Sequence, residues 1–118
     1  MGPLFPPLNE ILERYLAELR RVVPDVERVI LFGSHALGKA NVLSDVDLAV
    51  VAPSFRGLDV ISRAVRLGEA NERLMLPVEA IGITPAEAKN APPESFLAEV
   101  LRTGIPVSLG LPVPTATV

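Results

Sequence analysis

Asp45 and Asp47 stand two residues apart in the run SDVDLAVV, residues 44–51. In a strand, positions i and i+2 share a face, so both carboxylates project together while Val46 and Leu48 point into the core. Two carboxylates held side by side repel each other, and a hard divalent cation removes that repulsion. Mg²⁺ prefers oxygen ligands, keeps several waters, and is commonly bound by one or two carboxylates together with substrate phosphates. Just upstream, ILFGS (residues 30–34) ends an apolar run in Gly33 and Ser34. Glycine lets backbone approach a phosphate closely, and successive N–H groups with the Ser34 hydroxyl can bond its oxygens. Gly38 allows a tight return of the chain toward Asp45. Together these parts describe two-metal phosphoryl or nucleotidyl transfer, in which the ions align the attacking and leaving oxygens. Such chemistry usually takes a third carboxylate from a neighbouring strand. Glu79, alone among the apolar residues of PVEAIGI (residues 77–83), is the candidate. A lone strand glutamate is more often an outward-facing surface residue, but the surrounding motif favours the ligand role.

Residues this far apart need a scaffold to bring them together. Residues 9–23 carry apolar side chains at helical spacing and end before Pro24, with Asn9 placed as an N-cap. Residues 28–32 form a short buried strand, residues 34–39 fit a turn or a short helix, and residues 46–52 form a second strand closed by Pro53. Helical spacing runs over residues 58–74, and residues 77–83 make a third strand. TPAE (residues 84–87) is a capping box with proline at the first helical position. Residues 94–102 supply a last helix stopped by Gly104, residues 105–109 an edge strand, and residues 110–118 a proline-containing tail. The dozen residues between the first two strands suit antiparallel pairing, and the long helix after the second suits a crossover. The predicted fold is α+β: a small mixed β-sheet with helices packed on it. Domain boundaries follow as an N-terminal extension over residues 1–8, the domain proper over 9–109, and the tail.

Composition narrows the field. A chain of 118 residues makes one domain, too small for a catalytic unit plus a separate substrate domain, so its acceptor must be small or be supplied by a partner. A formal net charge of -3 argues against coating DNA or RNA, which needs clustered Lys and Arg. The absence of cysteine excludes disulfides and thiolate sites, and suits a cytoplasmic protein. No apolar run approaches the roughly 18 residues of a membrane span. Twelve prolines fit either a thermophilic source or a GC-rich genome.

The stretch FGSHALGKANVLSDVDLAVV (residues 32–51) resembles the signature of the polymerase-beta-like nucleotidyltransferase superfamily: strand, Gly-Ser, short helix, then Ser-Asp-x-Asp-Leu on the next strand. Length and the opening helix are similar to its minimal nucleotidyltransferase (MNT) group. The resemblance implies that Gly33 and Ser34 bind nucleotide phosphates, that Asp45 and Asp47 hold metal, two Mg²⁺ ions in all, and that Glu79 stands where the family has a third aspartate. His35, the only histidine, stands where the family commonly has arginine. It contacts phosphate, acts as a base, or simply packs. Lys39 is a point charge suited to a triphosphate or an exposed side chain, and Ser44 supports the turn.

The resemblance also implies an activity: Mg²⁺-dependent transfer of a nucleoside monophosphate, AMP from ATP, to a hydroxyl on a partner protein, the partner being a helical HEPN-domain toxin for which this chain is the antitoxin. Two alternatives stand beside it. One is a nucleotide-binding or inhibitory subunit that has lost turnover through Glu79 and His35, and the other is a small-molecule transferase of the antibiotic-modifying kind. A homo-oligomer stays open. For a protein partner, the apolar residues Phe96, Leu97, Val100 and Leu101 and the tail offer a docking surface.

Overall fold

The computed structural model describes residues 6–41 and 43–109. Its elements follow the chain as α1 (Leu8–Val22), β1 (Arg28–Phe32), β2 (Val46–Val51), α2 (Val60–Glu69), β3 (Val78–Ile83), α3 (Pro85–Lys89), α4 (Phe96–Thr103) and β4 (Ile105–Val107). The strands form one sheet in the order β3-β2-β1-β4. β1 pairs antiparallel with both β2 and β4, and β2 pairs parallel with β3. The short connection from β1 gives the antiparallel pair and the helical crossover through α2 gives the parallel one. This is the mixed α+β sheet the sequence predicts.

Register sorts the strand residues onto two faces. Val29, Leu31, Val46, Leu48 and Val50 face a core built with Ile11, Leu12, Tyr15, Leu16 and Leu19 of α1 and Leu67 of α2. The Tyr15 hydroxyl donates to the Leu67 carbonyl at 3.0 Å, which ties α1 to α2. Burial pushes that phenol well above its ordinary range. On the opposite face Ile30, Ala49, Val51 and Ile83 pack with Val100 of α4. Both faces of β2 are therefore covered at its C-terminal end, and residues 48–51 are all buried. The N-terminal end of the second face, where Asp45 and Asp47 lie, is left open.

Three local expectations need correction. Asn9 is not the N-cap: α1 begins at Leu8 after Pro7, no side chain caps it, and the Pro7 carbonyl accepts the Ile11 N–H at 3.0 Å. Pro7 has a helix-compatible φ of -58°, and its extended ψ of 157° is what leaves it just outside the helix while its carbonyl accepts the first helical bond. α2 spans ten residues rather than seventeen. Beyond Glu69 the chain runs through turns, because the Asn71 side chain accepts from Leu76 N and donates to Leu76 O, offering backbone a non-helical partner. The apolar face of α4 is not free: Val100 is buried, Leu97 and Leu101 pack half-buried beside it, and Phe96 alone is exposed. Exposed apolar side chains gather instead on α2, at Val60, Ile61 and Val65. The predicted tail over residues 110–118, and residues 1–5 of the extension, lie outside the described residues. Among the described residues no helix is long and apolar enough to cross a membrane.

The capping box at α3 forms as predicted, and a partner reinforces it. Thr84 Oγ1 accepts from Glu87 N and Glu87 Oε1 accepts from Thr84 N. Arg63 of α2 donates to both Glu87 oxygens, at 2.7 and 3.1 Å, and to the Leu58 and Gly82 carbonyls. The Arg63 bond, then the Thr84 bond, hold the Glu87 carboxyl below its usual range. A lowered folded-state pKa contributes stability above the ordinary glutamate range and loses it as pH falls through the folded value. Thr84→Ala is expected to cost about 1 kcal/mol in urea melts. Glu87→Gln is expected to destabilise at pH 7, with its difference from the parent shrinking as pH drops below the glutamate range.

Candidate functional site

β1 stops where Gly33 turns into the left-handed region, at φ +74°. The chain then passes through consecutive turns rather than a helix: Ala36 N and Leu37 N donate to Gly33 O, and Lys39 N donates to Ser34 O. Asn41 and Ser44 shape the second half of the connection. Asn41 Oδ1 accepts from Leu43 N, Ser44 Oγ accepts from Asn41 N, and Ser44 N donates to Asn41 O. Ser44 thus supports the turn that delivers Asp45 to the start of β2, as the sequence suggests.

Pairing then aligns three residues across the sheet on the open face: Phe32 of β1, Asp47 of β2 and Glu79 of β3. The Asp47 carboxylate lies over Gly33, in the space a Cβ there would occupy. Asp45, two residues earlier on the same side, brings its carboxyl within hydrogen-bonding reach of Glu79. The three acids crowd one another. Contact with Asp45, then its charge, burial and the charge of Asp47, raise the Glu79 carboxyl above its usual range. Burial, then the charge of Asp45, raise that of Asp47, and the nearby His35 imidazole partly offsets this. Among the described residues His35 Nε2 is buried with no hydrogen-bond partner.

The structure therefore brings together Gly33, Asp45, Asp47 and Glu79, with Ser34 half-buried in the adjoining turn. It does not draw in Lys39, which sits exposed at the exit of the turn with no ion pair among the described residues. Among the described residues no three His, Cys, Asp or Glu side chains form a ready-made metal cage. Mg²⁺ is usually held through one or two carboxylates completed by waters and substrate phosphates, so an ion here would need those further oxygens to complete its shell. Asp45, Asp47 and Glu79 are oxygen donors of the right hardness, and their mutual repulsion is what a cation relieves.

Two features escaped the sequence. Phe96, the first residue of α4, meets Phe32 edge-to-face, with ring centroids 5.7 Å apart and planes at 78°. Phe32 could be read as a strand residue, but nothing in the sequence places Phe96 beside it. Arg63 likewise gave no signal, its partners Gly82 and Glu87 being 19 and 24 residues away.

A four-stranded mixed sheet with helices on both faces, a glycine-serine turn after one strand and paired aspartates on the next, is a nucleotidyltransferase fold. Residues 12–101 match the family model described as nucleotidyltransferase domain, and the chain belongs to that family. Solved structures agree with the fold. A candidate nucleotidyltransferase from Sulfolobus solfataricus superposes with a TM-score of 0.64 at 19% identity, over 84% of this chain and 78% of that one. A toxin-antitoxin structure with AMP-PNP superposes with a TM-score of 0.57 at 23% identity, over 85% and 72% of the two chains. No curated protein matches the chain in sequence.

Proposed function

We propose that the protein is a Mg²⁺-dependent nucleotidyltransferase of the minimal, MNT type that moves AMP from ATP to a hydroxyl on a partner protein, and that it acts as the antitoxin of a helical HEPN-domain toxin. The observation that carries this reading is the crowding of Asp45, Asp47 and Glu79 on the open sheet face against the Gly33 turn. Gly33 and Ser34 hold phosphate oxygens with backbone N–H groups and the hydroxyl. Asp45, Asp47 and Glu79 hold Mg²⁺, two ions when nucleotide is present, which supplies charge neutralisation and alignment of the attacking and leaving oxygens. The acceptor hydroxyl gives its proton to a site carboxylate or to water as its oxygen bonds to the α-phosphorus, the bond from that phosphorus to the α,β-bridging oxygen breaks, and pyrophosphate leaves. The toxin-antitoxin neighbour supports a protein partner and its AMP-PNP supports an adenine nucleotide, although both belong to that protein.

The absence of a ready-made three-donor cage among the described residues favours a second reading, a subunit that binds nucleotide without turnover. One experiment separates the two. The chain is incubated with α-labelled ATP and Mg²⁺, alone and with the co-expressed product of the adjacent gene. Label on the neighbour that disappears with chelator is the expected result. Nucleotide binding with no label on any acceptor would establish the second reading.

Glu79 gives an internal test. Glu79→Asp is expected to preserve or raise transfer, whereas Glu79→Gln loses about tenfold, roughly 1.4 kcal/mol of transition-state stabilisation. Equal initial rates for Glu79→Gln and the parent would make the residue a bystander.

A further inference from the structure

Phe96 is 65% exposed, while Val100, one helical turn further along α4, is 2% exposed. The helix is well anchored. Ser95 caps it by accepting from Ala98 N at 3.1 Å, and Val100 is set in the Ile30, Ala49 and Val51 cluster. The exposed ring is therefore held, not loose, and its brace is Phe32, which precedes Gly33 and pairs with Asp47. Phe32 thus links the exposed ring to the Gly33 turn on one side and to Asp47 across the sheet on the other, and an aromatic ring kept in water offers a π-surface to a ligand bound nearby. By contrast Phe55, which serves the core, is fully buried.

We propose that Phe96, braced edge-to-face by Phe32, is the stacking platform for the base of the bound nucleotide. The proposal rests on the nucleotide-binding reading above and adds its base subsite. A triphosphate on the Gly33 turn would sit next to Phe32, the ring that braces Phe96, on the sheet face that also carries Asp47. Stacking is tolerant of base identity, because every base has a π-face, and it grows with ring area. The platform therefore adds affinity for any nucleoside triphosphate, more for purines than for pyrimidines. It leaves the triphosphate contacts unchanged.

The test compares ligands with and without a base. ATP, CTP and inorganic tripolyphosphate, each with Mg²⁺, are titrated calorimetrically into the parent chain and Phe96→Leu, which keeps an apolar side chain against Phe32 but removes the outer ring. The expected result is about a tenfold weaker ATP affinity, a smaller loss for CTP and unchanged tripolyphosphate affinity. The chain has no tryptophan, so Phe96→Trp provides a single indole, excited selectively at wavelengths where Tyr15 does not absorb. ATP is expected to quench it, and tripolyphosphate is not. Parent-like ATP affinity in Phe96→Leu overturns the proposal, as does an equal loss for ATP and tripolyphosphate. So does loss of a protein partner with ATP affinity intact, which would make Phe96 an interface residue. A parent chain that binds neither ATP nor tripolyphosphate would instead bring down the nucleotide-binding reading itself.

Discussion

Asp45→Asn and Asp47→Asn are each expected to lower nucleotidyl transfer at least a hundredfold, about 2.7 kcal/mol, while leaving the fold intact. Asparagine keeps the size of the side chain and removes the charge that the proposed function assigns to holding Mg²⁺. The same charge works against the folded chain when no metal is present. Burial and the charge of Asp45 raise the Asp47 carboxyl, so the folded state binds its proton more tightly than the unfolded state does. Stability linked to a raised pKa is present below the ordinary aspartate range and is lost as pH rises through the folded value. At neutral pH without metal, Asp47→Asn should therefore melt at or above the parent temperature, with that advantage fading as pH falls. Adding Mg²⁺ with nucleotide should raise the parent's melting temperature and leave the variants where they were. Thermal unfolding with and without Mg²⁺ and ATP, alongside label transfer, checks both halves. If both variants keep parental turnover and metal-dependent stabilisation, the assignment of these aspartates is wrong.

The two aspartates were legible because β2 announces itself: an apolar run with carboxylates at alternate positions fixes the strand and the face together. Gly33 is legible only in context: a glycine-serine pair alone usually marks an ordinary turn, and it is its order and spacing before Asp45 and Asp47 that single it out. Glu79 could be nominated from sequence, but its place opposite Asp47 depends on parallel register between strands separated by a helix. The sequence predicts α2 too long because Leu74 and the residues before it keep apolar helical spacing, whereas the Asn71 side chain, bonded to both polar groups of Leu76, turns the chain out of the helix early. The apolar face of α4 looked available for a partner because its spacing shows amphipathicity without showing what covers it. The buried Val100 shows that the cover is the sheet. Contacts within one element or its neighbour can be read from residue order. Phe32 with Phe96, and Arg63 with Glu87, join distant segments and emerge only when the sheet is assembled.

Gly33→Ala is expected to be the most damaging substitution that leaves every charged residue in place. Its φ of +74° costs an L-residue roughly 1–2 kcal/mol. Beyond that strain, a methyl group at Gly33 would overlap the Asp47 carboxylate oxygen and lie 3.1 Å from its Cγ. The carboxylate must move, and it is the one aligned across the sheet with Glu79. Gly38→Ala is the control, because Gly38 has a similar φ of +73° and, among the described residues, no atom within 4 Å of an added Cβ. Both variants should lose comparable stability from backbone strain, but only Gly33→Ala should also lose metal-dependent ATP affinity and turnover. A double-mutant cycle isolates the steric part: in an Asp47→Ala background the clash is gone, so adding Gly33→Ala should cost less in urea unfolding than it does in the parent. Additive stability losses, or parental ATP affinity in Gly33→Ala, would mean that the turn and Asp47 do not meet in solution as they meet here. A coupling between the two would tie the Gly33 turn to the Asp47 strand through one missing methyl group, as the proposed division into a phosphate side and a metal side requires.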